Sequence, residues 1–174
     1  MEERFDIYDS QGRYLNKSVP RGTRLPEGEY FMVVHVWIER EDGKFLIQKR
    51  AKKSDPIPHQ WAVTSGLTSE GEGPKESAIR EVKEEIGVEL KASDLTDRAQ
   101  IISTGNRYHT ITHVYHTYQS LDVDALELDK DEVLEVAYVS LKTILEMVEK
   151  GTFWDYNKLL GTHDYFSLLK RGTQ

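Results

Sequence analysis

The chain has 174 residues, a formal net charge of −7 and no cysteine. This length suits a single domain around one core, and the lack of cysteine excludes disulfide frameworks, thiolate metal sites and a cysteine nucleophile. The acidic balance, without a long Lys/Arg run, argues against binding of a nucleic-acid polymer. No signal peptide and no membrane-spanning apolar run is visible, so we expect a cytoplasmic protein that does not contact membranes.

The first 29 residues predict a hairpin followed by a loop. Two short strands, at 4–9 and 12–16, flank the turn signal Ser10-Gln11-Gly12. Residues 17–29 contain two prolines and two glycines and predict a loop. We therefore interpret residues 1–29 as an extension of a core that spans 30–150.

Strands and helices are mixed along the rest of the chain. The clearest helix is predicted at 74–86, because Pro74 suits a first turn and Gly87 suits a C-terminal stop, while Ala78, Val82 and Ile86 form an apolar stripe. The mixed order predicts an α/β (α+β) layered sandwich, an α/β/α arrangement with a mixed central sheet, and one domain over 1–174. The other predicted elements are strands at 30–40, 44–50, 61–65, 99–104, 111–119 and 134–139, a helix at 141–150 and a helical tail within 151–174.

Three glutamates share one face of the predicted helix. Glu81 and Glu84 are three residues apart, and Glu81 and Glu85 are four apart, a spacing at which like charges repel by roughly 0.2–0.5 kcal/mol per pair. Carboxylate oxygens are preferred ligands of hard divalent ions, so a bound Mg²⁺ or Mn²⁺ would relieve the repulsion and polarise a water molecule. A solvated acidic helix face without a ligand is the alternative interpretation.

The segment 66–88 carries a long pattern of specified positions around these glutamates. The pattern is Gly, five residues, Glu, seven residues, then Arg-Glu-aliphatic-any-Glu-Glu-any-Gly-aliphatic, and it is far more specific than a lone glycine motif. The residues at its fixed positions are Gly66, Glu72, Arg80, Glu81, Val82, Glu84, Glu85, Gly87 and Val88. Every one of them matches the Nudix signature, and the chain resembles the Nudix (MutT-like) hydrolase superfamily over roughly residues 30–150.

The resemblance implies a metal site on the signature helix. Nudix enzymes hold divalent ions against a diphosphate with this loop-helix-loop. By the matching positions, Glu84 and Glu85 are expected as principal metal ligands, and Glu81 as a ligand or as the base that deprotonates water. The backbone carbonyl of Ser65 or Gly66 is expected to join the metal shell.

Three further roles follow from the same resemblance. Arg80 is expected to orient the site by pairing with a carboxylate without touching substrate, and Glu72 to be an accessory ligand or the partner of Arg80. A later loop usually supplies another carboxylate; among Asp131, Glu132 and Glu135 we prefer Glu132, although a solvated charged turn is the alternative.

The chain also resembles the Nudix branch related to isopentenyl-diphosphate isomerase, through its N-terminal pattern around Arg21-Gly22 and through Val34-His35-Val36-Trp37-Ile38. Isomerases of that branch need a cysteine, and its absence here disfavours that reaction, because the hydroxyl of Ser65 is far too weak an acid to replace a thiol.

Hydrolysis needs only metal, water and a base. The sequence therefore predicts a magnesium-dependent pyrophosphohydrolase that acts on a small-molecule diphosphate, such as a nucleotide or a nucleoside-diphosphate derivative. Arg50 and Lys49 are candidates for phosphate contact, and Arg107 and Tyr108 for contact with a base or ribose. A non-catalytic nucleotide-binding module is the alternative function, and a homodimer is left open.

Overall fold

The computed structural model describes residues 1–51, 58–105 and 108–170. Within these residues the helices are α1 (Pro74–Ile86), α2 (Leu141–Glu149) and α3 (Tyr156–Leu160). Short 3-10 turns lie at Ala92–Asp94, Val123–Ala125 and Tyr165–Leu169. The strands are β1 (Arg4–Tyr8), β2 (Tyr14–Pro20), β3 (Phe31–Glu39), β4 (Phe45–Arg50), β5 (Trp61–Ala62), β6 (Thr64–Leu67), β7 (Thr96–Ser103), β8 (Thr110–Tyr118) and β9 (Val133–Val139).

Strand β3 lies at the centre of a mixed sheet and pairs in parallel with β8 over its whole length. It pairs with β4 only beside their connecting turn, where Glu39 faces Phe45. Beyond that pair the two strands separate: antiparallel β6 takes the place beside β3, and β9 and β5 pair with β4. Side chains that lie between β4 and β6 are therefore surrounded by strands from different parts of the chain.

The sheet is covered on both faces, which explains why β3 is almost continuously apolar. Val34, Val36 and Ile38 pack with the buried stripe of α1 on one face. On the other face, Trp37 packs with Ile144 of α2 and with aromatic residues of the C-terminal tail. Burying one such aliphatic side chain contributes roughly 1.5–3 kcal/mol. The predicted α/β/α sandwich with a mixed sheet is confirmed.

The N-terminal hairpin forms a separate two-stranded antiparallel sheet, β1 with β2. It is attached to the core by two hydrogen bonds between the backbones of Tyr8 and Tyr30, of 3.0 and 2.9 Å. The prediction of a loop from residue 17 was wrong for residues 17–20, which belong to β2. Their strand pairing depends on Val19, which faces Phe5 and is buried against the core, a tertiary contact that the local composition does not show.

Most other predicted elements agree to within one residue, and three differ by more. The expected strand at 61–65 is divided into β5 and β6, and the strand expected from residue 99 begins at Thr96. The helical tail consists of α3 and the 3-10 turn at Tyr165–Leu169, because Gly161 ends α3 in the left-handed conformation at φ 66°. None of the described helices combines the length and the apolar character that a membrane crossing requires.

Candidate metal and diphosphate site

Helix α1 carries the three glutamates and is fixed at both ends. Pro74 begins it, and Gly87 ends it at φ 73° while donating its N–H to the Lys83 carbonyl. Because the apolar stripe of α1 is fully buried against the sheet, the rotation of the helix about its axis is set. The exposed fractions of the glutamate side chains then differ: 4% for Glu85, 14% for Glu81 and 57% for Glu84.

Glu81 lies directly against the backbone of β6. A Cβ atom added to Gly66 would lie 2.0 Å from Oε1 of Glu81 and 2.1 Å from its Cδ, much closer than atoms can approach. Only a glycine leaves this space, so the first residue of the signature segment lets the Glu81 carboxylate reach the strand edge, beside the backbone of Ser65 and Gly66.

Glu85 is held by a buried chain of polar side chains. Nε2 of Gln48 on β4 donates to Oε2 of Glu85 at 2.8 Å, and the hydroxyl of Thr64 on β6 donates to Oε1 of Gln48 at 3.0 Å. Nη1 of Arg50 lies 3.9 Å from the other oxygen of Glu85. These contacts fix the carboxylate between the two separated strands.

Arg80 connects the remaining carboxylates. Its Nε donates to both oxygens of Glu72, at 2.8 and 3.1 Å. Its Nη1 donates to Glu81 at 2.9 Å and to Glu84 at 3.1 Å, and its Nη2 donates to the Leu67 carbonyl at 3.2 Å. One guanidinium therefore orients three glutamates and anchors them to the end of β6.

The pKa values show how strongly burial acts on two of the glutamates. Burial raises the pKa of Glu81 to about 7; Arg80 opposes this rise, and Glu84 and Glu132 add to it. Burial likewise raises the pKa of Glu85 to about 8, with Arg50 and Gln48 opposing and Glu81 and Glu132 adding. Nearby cations therefore only partly offset the cost of ionising these two side chains.

This donor set fits a hard divalent cation, because carboxylate and carbonyl oxygens suit such ions and an added positive charge would stabilise both buried carboxylates. No three acidic or histidine side chains among residues 1–51, 58–105 and 108–170 converge in metal-binding geometry. In this arrangement the carboxylates of Glu81 and Glu84 accept hydrogen bonds from Arg80.

Glu132 lies in a loop that is bonded to the site. The backbone N–H of Asp129 donates to the Glu85 carbonyl at 3.0 Å, and the N–H of Ala51 donates to the Glu132 carbonyl at 2.9 Å. The loop is thus tied to the end of α1 and to the end of β4, and the charge of Glu132 acts on both Glu81 and Glu85.

The other predicted substrate residues differ in position. Arg50 lies beside Glu85, whereas Lys49 makes no ion pair with the acidic residues in the part of the chain that the structure describes. Tyr108 is 42% exposed and its ring lies edge-on to Phe31, 6.1 Å between centroids. Arg107 lies outside the described residues.

Gln48 and Thr64 were missed as site residues, because neither is charged and neither belongs to the signature. One signal was present: Gln48 is two residues before Arg50 on a predicted strand, so the two side chains share a face. The contact of Thr64 with Gln48 depends on the pairing of separate strands.

Comparisons with known proteins agree with this geometry. A model of the NUDIX domain matches residues 29–159. An uncharacterised Nudix hydrolase of Listeria innocua is 30% identical over 158 residues, covering 88% of this chain and 89% of that protein. The ADP-ribose pyrophosphatase of Bacillus subtilis is 30% identical over 117 residues, covering 66% of this chain and 61% of that protein. A crystal structure of a Deinococcus radiodurans protein has the same fold, with a TM-score of 0.72 at 17% identity, covering 96% of this chain and 97% of the other.

The sheet with its acidic signature helix defines a class of phosphate-processing α/β enzymes. With the domain model matching most of its length, the chain belongs to the Nudix hydrolase family.

Proposed function

We propose that this protein is a Mg²⁺-dependent (or Mn²⁺-dependent) hydrolase that cleaves the diphosphate linkage of a nucleotide or nucleoside-diphosphate derivative. The observation that carries the proposal is the pair of buried carboxylates on one face of α1, Glu81 against the strand edge at Gly66 and Glu85 beside Gln48, whose ionised forms a bound cation would stabilise. The Bacillus subtilis relative named ADP-ribose pyrophosphatase makes nucleoside diphosphosugars the first substrates to test.

Glu81, Glu84 and Glu85 would hold the metal, together with Glu132 and a backbone carbonyl at Ser65 or Gly66. The bound metal would neutralise charge on the diphosphate and acidify a water molecule. As an alternative to binding the metal directly, Glu81 would be the base that accepts a proton from this water molecule.

The remaining residues of the site would act by positioning. Arg80, paired with Glu72, orients Glu81 and Glu84, and the chain from Thr64 through Gln48 fixes Glu85. Because precise placement of reacting groups accounts for a large share of phosphoryl-transfer catalysis, these contacts would support turnover.

For substrate contact we prefer Arg50, whose guanidinium is beside Glu85. Lys49, Arg107 and Tyr108 remain candidates for phosphate, base or ribose contact. We also propose that the whole chain works as one domain, because the N-terminal hairpin is bonded both to Tyr30, directly before β3, and to the segment before α1. Cytoplasmic location and homodimer formation remain predictions from the sequence.

The test is phosphate or nucleotide release from a panel of nucleoside triphosphates, dinucleotides and ADP-ribose, with Mg²⁺ and with excess EDTA. We expect metal-dependent turnover that Glu84→Gln and Glu85→Gln each reduce by at least about a hundredfold. Glu76→Gln, which changes an exposed glutamate on the same helix, is the matched control and should retain full activity. Binding of these compounds without any turnover would instead identify a non-catalytic binding module, and full activity of both site variants would reject the assigned residues.

A further inference from the structure

The N-terminal hairpin is bonded to the segment that leads into α1. Phe5 forms an antiparallel bridge with Ser69. The N–H of Glu70 donates to the Arg4 carbonyl at 3.0 Å, and the N–H of Gly71 donates to the Asp6 carboxylate at 2.9 Å. The hairpin therefore has a fixed position beside the segment that leads into the acidic helix.

Arg21 directly follows β2 and extends from this hairpin with a side chain that is 60% exposed. Its guanidinium carbon lies 5.0 Å from the centroid of the Phe5 ring, and its Nε donates to Glu3 at 2.8 Å. These two contacts hold the guanidinium against the part of the hairpin that adjoins Ser69. Among the described residues, no hydrogen bond occupies its two terminal nitrogens.

The negative charges of two site residues contribute to raising the pKa of Arg21. Glu3 contributes most to raising the pKa of Arg21 and burial opposes it, but the charges of Glu132 and Glu81 also raise it. The guanidinium is therefore within electrostatic range of the proposed metal site, although Arg21 extends from the separate N-terminal hairpin. In a chain with a net charge of −7, a cation at this place would offset repulsion of an anionic substrate.

We propose that Arg21 is a further substrate-binding residue, whose terminal guanidinium nitrogens bind the diphosphate of the substrate. This inference rests on the proposed function, because it assumes that a diphosphate occupies the site of Glu81 and Glu132. The planar guanidinium can donate two parallel hydrogen bonds to a phosphate group, and the contact with Glu3 uses only Nε. The alternative is that Arg21 serves only as an ion pair that stabilises the hairpin.

The chain offers a matched control on the same hairpin. Arg13 donates its Nε to Asp9 at 2.8 Å, like Arg21 to Glu3, and its side chain is 72% exposed. No acidic residue of the site is among its contacts in the described part of the chain. Arg13→Ala therefore removes an equivalent surface ion pair without touching the proposed site, and Glu3→Gln removes the ion pair of Arg21 while keeping its guanidinium.

The experiment measures KM and kcat, with the best substrate of the panel, for the wild-type protein and for Arg21→Ala, Arg21→Lys, Arg13→Ala and Glu3→Gln. We expect Arg21→Ala to raise KM by roughly tenfold with a much smaller change in kcat, which is the loss of one charged hydrogen-bonding group. Arg21→Lys should recover part of the affinity, and Arg13→Ala should match the wild type. Glu3→Gln should lose far less affinity than Arg21→Ala, because the amide oxygen of glutamine can still accept the hydrogen bond from Nε of Arg21. Calorimetric titration with imidodiphosphate in the presence of Mg²⁺ should show the same order of affinities without any turnover.

Two results would overturn the role of Arg21. One is a KM and an imidodiphosphate affinity of Arg21→Ala equal to those of the wild type. The other is an equal loss in Arg21→Ala and Glu3→Gln, which would identify the ion pair as the important feature. A wild-type protein that neither cleaves nor binds any of these compounds would reject the proposed function as well, whereas an active wild type with an unchanged Arg21→Ala variant rejects the role of Arg21 alone.

Discussion

Replacing Gly66 by alanine places a methyl group where the Glu81 carboxylate now lies. The new Cβ would be 2.0 Å from Oε1 of Glu81, whereas ordinary contact begins at 3.4 Å. The carboxylate must therefore move by about 1.4 Å, the difference between these two distances. Because Gly66 does not have a positive φ and the obstructing atoms belong to a flexible side chain, the strand itself can accept alanine.

The expected effect is large for catalysis and small for folding. A displacement of about 1 Å in a catalytic group can cost roughly a hundredfold in rate, so kcat for Gly66→Ala should fall by about that factor. Exchange of glycine for alanine at a backbone conformation that both can adopt changes the free energy of unfolding by less than about 1 kcal/mol. The melting temperature should therefore stay within a few degrees of the wild-type value.

A double-mutant cycle tests whether Glu81 is the cause. The assay compares kcat for wild type, Gly66→Ala, Glu81→Ala and the double variant, with thermal unfolding of each as a check on folding. In the Glu81→Ala background the added methyl group meets no carboxylate, so it should cost less than about threefold. Gly73→Ala, where the added atom meets nothing within 4 Å, is the control for a glycine change in the same segment. A hundredfold loss that persists without Glu81 would refute the argument from steric contact.

Two further predictions concern the buried carboxylates. Burial raises the pKa of Glu81 to about 7 and of Glu85 to about 8, above their usual value of 4.5, so these two groups hold more protons in the folded metal-free protein than in the unfolded chain between pH 4.5 and 8. Burial lowers the pKa of His35 to about 3 and also lowers that of His113, so these imidazoles act in the opposite direction below about pH 6.5. The free energy of unfolding should therefore fall as the pH rises from about 6.5 to about 8, and Mg²⁺ should raise the melting temperature more at about pH 8.5 than at about pH 5.5; an equal rise at both pH values would contradict the link between ionisation and metal binding. Gln48→Leu removes the hydrogen bond to Glu85 and should weaken Mg²⁺ binding by roughly 10- to 100-fold in calorimetric titrations, whereas unchanged affinity would show that Gln48 does not position this carboxylate.

Some features of this protein follow from the local sequence. The bounds of α1 agree with the prediction at both ends, because Pro74 and Gly87 act on the backbone beside them. The shared face of Glu81, Glu84 and Glu85 is a property of a single helix, so their spacing alone places them together. The run of apolar residues that forms β3 likewise predicts a strand covered on both faces.

Other features depend on contacts between distant parts of the chain. The separation of β3 from β4, which admits β6, brings Gln48 and Thr64 to Glu85. The docking of the hairpin brings Arg21 within range of the charge of Glu81. No periodicity within one segment contains this information, because each contact joins residues from elements that are distant in the sequence.

The sequence by itself determined which groups could bind a metal, since the spacing of carboxylates along one helix is set by covalent geometry and the helical repeat. Only the tertiary structure decided their individual environments: Glu85 is buried beside Gln48, Glu81 is pressed against Gly66, and Glu84 remains largely exposed. The physical reason is that desolvation and the distance to other charges depend on the packing of whole elements against each other.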